Sequence, residues 1–265
     1  MATTLNLCEH PPWVLASRHF NEDPKPVTIQ GGTSGDKRFF EMLDDNDTPE
    51  ERAELFADYL TVKFYLNQAE ELTGHSHRAL KNSYVRFLRG WGMDSNTPEG
   101  ATLKGWVESR FGLAPTFHKQ PLSAPSAEHH DQDYSPYDLD RAVGISRTNA
   151  IYGQFDLVYR YCQYELQRQE PQRRWLQLYR GTYDATEHEI TERFDRRNYY
   201  VRLNNLASFT INPERAWEFG TTVWRVQVPV AKILFYSDLI PSVHLKGEDE
   251  YLVIGGEYRV TEVWE

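Results

Sequence analysis

Apolar residues in the first half of the chain recur at intervals of three and four, the spacing that places them on one face of a helix. Thr48-Pro49-Glu50-Glu51 adds a start signal, because Thr48 can cap a helix whose Glu51 completes a capping box. Pro and Gly crowd residues 1–35, which we expect to be irregular. The pattern predicts helices over residues 36–43, 48–66, 76–89, 98–111 and, further on, 148–169.

After Pro171 the apolar period shortens to two, which is the period of a strand with one buried face. Gly255-Gly256 has the composition of a turn, and residues 213–219 of a short helix. The pattern predicts strands over residues 175–180, 199–203, 222–228, 233–236, 251–254 and 258–263. Helices followed by a mostly antiparallel sheet indicate an α+β fold.

A Pro-rich and His-rich stretch over residues 114–136 has little periodicity and predicts a long loop. His129-His130-Asp131 lies in it, but adjacent histidines in a polar loop are usually solvated, so we predict no metal site. We divide the chain into a helical N-terminal region, residues 1–147, and a second region, residues 148–265. We expect the two to form one compact unit.

Composition narrows the class of protein. The chain has 265 residues, 40% hydrophobic and 26% charged, as in ordinary soluble proteins. A net charge of −10 argues against nucleic-acid binding. Two cysteines, Cys8 and Cys162, fit no zinc motif and suit a reducing cytosol. Because neither a signal peptide nor a run of about 20 apolar residues is visible, we predict a cytoplasmic protein without membrane insertion.

The motifs of several common enzyme classes are missing from the sequence. It contains no GxGxxG after a strand, no P-loop, no GxSxG and no HExxH. Rossmann, P-loop, serine hydrolase and zinc protease chemistry are therefore not indicated.

Glu248-Asp249-Glu250 precedes the aliphatic strand at residues 251–254. If that strand begins at the triplet, Glu248 and Glu250 project from one face about 7 Å apart, while Asp249 points away. One carboxylate could then hold a cationic group while the other stabilises a developing positive charge. Taken alone, three acids would equally keep a strand edge soluble.

Two further features lie upstream in the strand-rich half. Arg180 ends a strand beside Gly181, and its planar guanidinium could bind a diphosphate, although a lone arginine is more often a surface or salt-bridge residue. Ser208-Phe209-Thr210 lies on another strand; its hydroxyls could support the acids, and Phe209 could line an aromatic pocket.

Arginine, hydroxyl strand and Glu-x-Glu, in this order, resemble the R-S-E signature of arginine-specific mono-ADP-ribosyltransferases, over residues 174–265. The N-terminal half is similar to the dinitrogenase reductase ADP-ribosyltransferase family. The stretches that carry this second resemblance are residues 89–96, 98–100, 104–113 and 115–119.

The resemblance implies a split antiparallel β-sandwich that follows the helices, and a bacterial enzyme with NAD+ as co-substrate and no required metal. It implies transfer of ADP-ribose to an arginine of the nitrogenase iron protein (dinitrogenase reductase), which inactivates that protein and so regulates nitrogen fixation. A PII-type signal protein is implied as a regulator.

The resemblance also assigns roles to individual residues. Arg180 would bind the phosphate on the nicotinamide side, and Ser208 would match the first serine of a Ser-Thr-Ser element from which Phe209 and Thr210 depart. Glu250 would be the catalytic glutamate and Glu248 the residue that selects arginine. Residues 237–247 would form the loop that meets the protein substrate.

Several alternatives remain open at this point. The same site could act as an NAD glycohydrolase or transfer ADP-ribose to another acceptor. Paired acids also serve glycoside hydrolases, though that would not explain Arg180 or Ser208. A non-catalytic protein could bind a basic partner through its acids. The arginines Arg193, Arg196, Arg197 and Arg202 could hold the diphosphate, hold an acidic partner or be a solvated face.

Overall fold

A computed structural model of the chain describes residues 6–30, 33–66, 83–122, 134–146, 148, 150–183, 188–241 and 249–264. The helices in these ranges are α1 (Pro12–Leu15), α2 (Arg18–Glu22), α3 (Thr33–Asp44), α4 (Pro49–Lys63), α5 (Tyr84–Met93), α6 (Pro98–Phe111), α7 (Pro136–Ser146), α8 (Ile151–Gln169) and α9 (Pro213–Trp217). The strands are β1 (Phe117–His118), β2 (Gln120–Pro121), β3 (Trp175–Thr182), β4 (Glu189–Arg193), β5 (Asn198–Thr210), β6 (Thr222–Pro229), β7 (Ile233–Tyr236) and β8 (Glu250–Val263). The predicted α+β class, with helices first, is confirmed.

Helices with strong local end signals lie where the sequence predicts them. At the start of α4, the Thr48 hydroxyl accepts a hydrogen bond from the Glu51 amide while the Glu51 carboxylate accepts one from the Thr48 amide. Helix α6 matches its prediction and ends at Gly112, whose φ of +67° is left-handed and therefore favours glycine. The first residues of the helix predicted at 76–89 lie outside the described part of the chain.

Residues 1–35 are more regular than the sequence indicates, because their described part contains α1 and α2. Further along the chain, α7 follows the loop predicted over residues 114–136. Helices of four or five residues cannot be stable by themselves, so packing must hold α1 and α2. Leu15 and Phe20 are buried, and the Ala16 carbonyl accepts a hydrogen bond from the Glu257 amide of the sheet.

Six antiparallel strands form the main sheet, in the order β4-β5-β3-β6-β8-β7. Strands β5 and β8 also pair with each other along most of their lengths. The N-terminal part of β8 pairs with β7 and its C-terminal part with β6. Strand β5 lies beside the edge strand β4, and β8 lies beside the other edge strand, β7. Their pairing therefore connects the two ends of the strand order.

The prediction that Gly255-Gly256 makes a turn is wrong, because β8 continues through both glycines. The register shifts opposite them, between Leu203 and Leu206, which marks a bulge. Gly256 has a φ of +125°, and a Cβ on Gly255 would lie 1.7 Å from the Asn204 carbonyl oxygen. Glycine is needed here for the bulge and for close backbone approach.

One hydrophobic core joins the helices to the sheet. Helix α8 lies on β7, where the Gln163 amide donates to the Val230 and Ile233 carbonyls. Cys162 is buried in this contact and is a free thiol. None of the helices in the described ranges is both long and apolar enough to cross a membrane.

Candidate active site

A cleft of about 320 Å³ opens where β3 and β5 end and β8 begins. Its position follows from the strand register, because Thr210 is paired with Tyr179 on one side and with Glu250 on the other. The segment at the C-terminal end of α5 forms another wall of the cleft. The lining residues are Trp91, Gly92, Met93, Asp94, Ser95, Tyr179, Arg180, Gly181, Thr182, Tyr183, Ser208, Phe209, Thr210, Ala216, Phe219 and Glu250.

Arg180 and Ser208, predicted as separate features, are in direct contact. The Arg180 Nη1 donates a hydrogen bond to the Ser208 carbonyl oxygen across 2.7 Å. This contact fixes the guanidinium at the end of β5, in the cleft wall. A positively charged planar fork in this position suits the oxygens of a diphosphate.

The Ser208 side chain is held from the helical half of the chain. Trp91 Nε1 donates a hydrogen bond to the Ser208 hydroxyl oxygen across 2.8 Å. Trp91 is buried at the end of α5, and sequence reasoning gave it no role in the site. Its partner is 117 positions further along the chain, so no local pattern indicates this contact.

Glu250 is the first residue of β8. Its amide donates to the Ser237 hydroxyl at 3.0 Å, which anchors the start of the strand. Its carboxylate faces α5, since a Cβ added to Gly92 would lie 3.5 Å from Glu250 Oε2. The structure thus brings the carboxylate into the same cleft as Arg180 and Ser208.

Strand β8 does not extend through Glu248-Asp249-Glu250. The alternation of side chains predicted for a strand that begins at this triplet is therefore wrong. Strand β8 begins at Glu250, and Asp249 has a φ of +45°, which is not an extended conformation. Glu248 lies outside the described residues, and its role stays a prediction.

Phe209 and Thr210 are less exposed to the cleft than the sequence interpretation suggests. The Phe209 ring is buried and packs against Tyr258, with ring centroids 6.3 Å apart. Thr210 is buried as well, and its hydroxyl accepts a hydrogen bond from the Asn212 amide at the turn into α9. Both residues line the cleft but also fix the strand end.

His188 is a neighbour of Arg180 that the sequence analysis did not consider. Its ring lies 5.2 Å from that of Trp224, the cross-strand partner of Arg180. Burial, helped by the positive charge of Arg180, lowers the pKa of His188 to about 4. The imidazole is therefore neutral near pH 7 and adds no second positive charge beside the guanidinium.

The arginine cluster of the second half lies away from this cleft. None of Arg193, Arg196, Arg197 and Arg202 is among the residues described as lining it. Arg202 pairs with Glu189 at 2.7 Å. Arg193 lies over the Tyr199 ring, and Arg196 and Arg197 lie over the Trp264 ring. The hypothesis that these arginines hold the diphosphate gains no support.

In the described ranges, no group of three His, Cys, Asp or Glu side chains converges as metal ligands. His129, His130 and Asp131 lie outside those ranges, so the prediction about them is not tested. The groups that face the cleft are a guanidinium, hydroxyls and carboxylates, which suit an anionic nucleotide at one end and a cation at the other.

Comparison with known proteins identifies relatives of the whole chain. The model of the family described as dinitrogenase reductase ADP-ribosyltransferase (DRAT) matches residues 5–262. The chain is 42% identical over 260 residues to NAD(+)--dinitrogen-reductase ADP-D-ribosyltransferase of Rhodospirillum rubrum. The aligned region covers 96% of this chain and 93% of the relative. No solved structure matches the chain.

These similarities define an NAD+-dependent ADP-ribosyltransferase. More narrowly, the chain belongs to the dinitrogenase reductase ADP-ribosyltransferase family.

Proposed function

We propose that this protein transfers ADP-ribose from NAD+ to an arginine of dinitrogenase reductase, inactivates it and so regulates nitrogen fixation. The observation that carries the proposal is the convergence of Arg180, Ser208 and Glu250 on one cleft in a chain of this family. The fold we propose is a split antiparallel β-sandwich of the ADP-ribosyltransferase type. This fold is supported by the pairing of the two long strands β5 and β8, which lie near opposite ends of the strand order.

Arg180 would bind the NAD+ diphosphate, because its guanidinium lies in the cleft wall at the end of β5. Ser208 keeps it there, since its carbonyl oxygen accepts from the guanidinium. Neutral His188 leaves the positive charge concentrated on Arg180.

Glu250 would stabilise the ribose when the bond between C1′ and the nicotinamide nitrogen breaks. The electron pair of that bond leaves with nicotinamide, which becomes neutral, and the ribose carries oxocarbenium-like positive charge. A carboxylate held in place by β8 and α5 stabilises such charge without reorganising. A preorganised electrostatic group of this kind contributes about 3–4 kcal/mol.

The acceptor guanidinium is charged and therefore a poor nucleophile. We propose that Glu248 orients it and takes its proton as the new C–N bond forms at C1′. Orientation of this kind adds to the electrostatic contribution of Glu250. The assignment of Glu248 comes from the family resemblance alone.

The location and partners of the protein remain proposals from the same resemblance. We propose a cytoplasmic enzyme whose helical half docks the iron protein or a PII-type regulator. Crosslinking to the iron protein in the presence of ADP tests the first of these contacts. Crosslinks confined to residues 171–265 would rule out docking by the helices.

The decisive experiment incubates the protein with labelled NAD+ and the ADP-bound iron protein, and identifies the modified residue by mass spectrometry. We expect label on one arginine. NAD+ cleavage without label on the protein would mean an NAD glycohydrolase, and label on another residue type would reject arginine as the acceptor. Glu248→Ala should reduce transfer far more than NAD+ cleavage; equal losses would remove Glu248 from acceptor binding.

A further inference from the structure

We propose that Asp94, contributed by the helical half, binds the guanidinium of the acceptor arginine at the mouth of the cleft. The inference rests on the proposed function and adds a residue that selects the acceptor. Asp94 lines the same cleft as Glu250, and its side chain is exposed. It is therefore a second carboxylate that an entering side chain meets.

The position of Asp94 is fixed by its own turn. The residue follows α5 directly, and its amide donates to the Gly90 carbonyl at 3.0 Å. Its Oδ1 accepts a hydrogen bond from the Asn96 amide at 2.8 Å, the contact of an Asx turn. The carboxylate is thus held at the cleft by hydrogen bonds within a short segment.

The segment that begins at Trp91 lines the cleft and approaches both Ser208 and Glu250. Trp91 contacts Ser208, which also holds Arg180, and Gly92 lies against the Glu250 carboxylate. Asp94 comes two residues later. A carboxylate there would repel a diphosphate but attract a cation, so its ligand belongs to the end where Glu250 acts.

Two cations take part in the proposed reaction. The nicotinamide ring must be placed with its glycosidic bond at Glu250, whereas the acceptor guanidinium enters from solvent. Asp94 is exposed, as is the neighbouring Met93, so this segment lies at the entrance. The incoming guanidinium is accordingly the cation that Asp94 meets.

Asp94 is available for this contact. It forms no ion pair in the part of the chain that the structure describes, and its carboxylate keeps Oδ2 outside the hydrogen bond to Asn96. The buried Lys104 interacts with Asp94 electrostatically but forms no hydrogen bond to it, and its ammonium donates to the Phe117 carbonyl at 3.1 Å. Partial negative charge at the C-terminus of α5, which has no basic residue in its last turn, favours a cation further.

The test compares Asp94→Asn with wild type in three reactions: NAD+ hydrolysis, transfer to agmatine as a small guanidine acceptor, and transfer to the iron protein. Asparagine preserves the oxygen that accepts from Asn96 and removes only the charge. We expect the ratio of transfer to hydrolysis to fall about tenfold with both acceptors, through a higher KM for the acceptor. Asp94→Glu should restore part of the ratio.

A matched control is Asp58→Asn, which removes an equal charge from the exposed face of α4. We expect it to keep the wild-type ratio. The difference between the two variants should shrink as salt is raised, because the carboxylate is exposed to screening.

The outcomes separate this inference from the proposed function. If wild type labels arginine and agmatine but Asp94→Asn does so with unchanged KM values, Asp94 does not bind the acceptor. Equal loss of hydrolysis and transfer would likewise overturn the inference, since Asp94 would then serve NAD+ cleavage itself. If wild type cleaves NAD+ yet labels no guanidine acceptor, the proposed function fails and the inference with it.

Discussion

The indole N–H of Trp91 donates a hydrogen bond to the hydroxyl of Ser208 across 2.8 Å, and this contact joins the helical half to the strands that line the cleft. The Ser208 carbonyl oxygen accepts from Arg180 at the same time. One residue at the end of β5 therefore connects the guanidinium of the cleft to a buried tryptophan of α5. The helical half therefore contributes to the wall of the candidate active site.

Trp91→Phe removes the N–H donor and keeps most of the buried ring. We expect the KM for NAD+ to rise about two- to tenfold with a smaller change in kcat, because one hydrogen bond contributes about 0.5–1.5 kcal/mol. Steady-state hydrolysis of etheno-NAD+ measures both constants. Trp13→Phe is the control, since Trp13 is 74% exposed on α1. An unchanged KM in Trp91→Phe would show that Ser208 does not need this contact.

Glu250→Gln keeps the size of the side chain but removes the charge that, in the proposed mechanism, stabilises the ribose. We expect NAD+ cleavage to fall about 10²- to 10³-fold, the loss typical of one preorganised electrostatic group, with NAD+ binding retained. Etheno-NAD+ hydrolysis and a direct binding measurement separate the two effects.

Asp249→Asn is the matched control for that experiment. Asparagine tolerates the φ of +45° that Asp249 adopts, and the neighbouring charge is removed without disturbing the start of β8. We expect little loss of activity. If Asp249→Asn is impaired as strongly as Glu250→Gln, the catalytic carboxylate has been assigned to the wrong residue.

Features with local causes could be predicted from the sequence. Helix α4 begins at Thr48 and α6 ends before Gly112 because capping depends on a few adjacent residues. The order of Arg180, Ser208 and Glu250 indicated one site, and the register of β3, β5 and β8 brings the three together.

Features with long-range causes could not be predicted in this way. Gly255-Gly256 has the same local signal in a turn and in a bulge, and only pairing with β5 decides between them. The left-handed Asp249 interrupts an alternation that composition alone favours. Trp91 and Asp94 enter the cleft through contacts between distant parts of the chain, for which a single sequence carries no periodic signal.

Gly181→Ala should disturb the cleft through α9. A Cβ at this position would lie 2.0 Å from the Ala216 carbonyl oxygen, so the backbone of α9 would have to move. We expect a loss of about 1–3 kcal/mol in the free energy of unfolding, as in overpacked cores, and a higher KM for NAD+. Urea unfolding and etheno-NAD+ kinetics measure these changes.

The control for Gly181→Ala is Gly35→Ala in α3, where an added Cβ has no atom within 4 Å. Alanine in a helix is favoured over glycine by up to about 1 kcal/mol, so this variant should be slightly more stable than wild type. Equal stabilities of the two alanine variants would contradict the close packing of α9 on Gly181.

Lys232→Met should make stability less dependent on pH. Lys232 is fully buried; its ammonium donates to the Gly255 carbonyl and faces the Phe20 and Tyr258 rings, yet burial lowers its pKa from 10.5 to about 7. Between pH 7 and pH 10.5 the unfolded chain binds more protons than the folded chain, so the wild type gains stability as the pH rises. Below the folded pKa the full free-energy cost of burying the charged ammonium applies. The variant should therefore be more stable by a few kcal/mol at pH 7, and this advantage should shrink by about 2 kcal/mol at pH 9.

Urea unfolding of both proteins at the two pH values isolates Lys232, because all other titrating groups are common to them. An advantage that is the same at both pH values would show that Lys232 does not titrate between them.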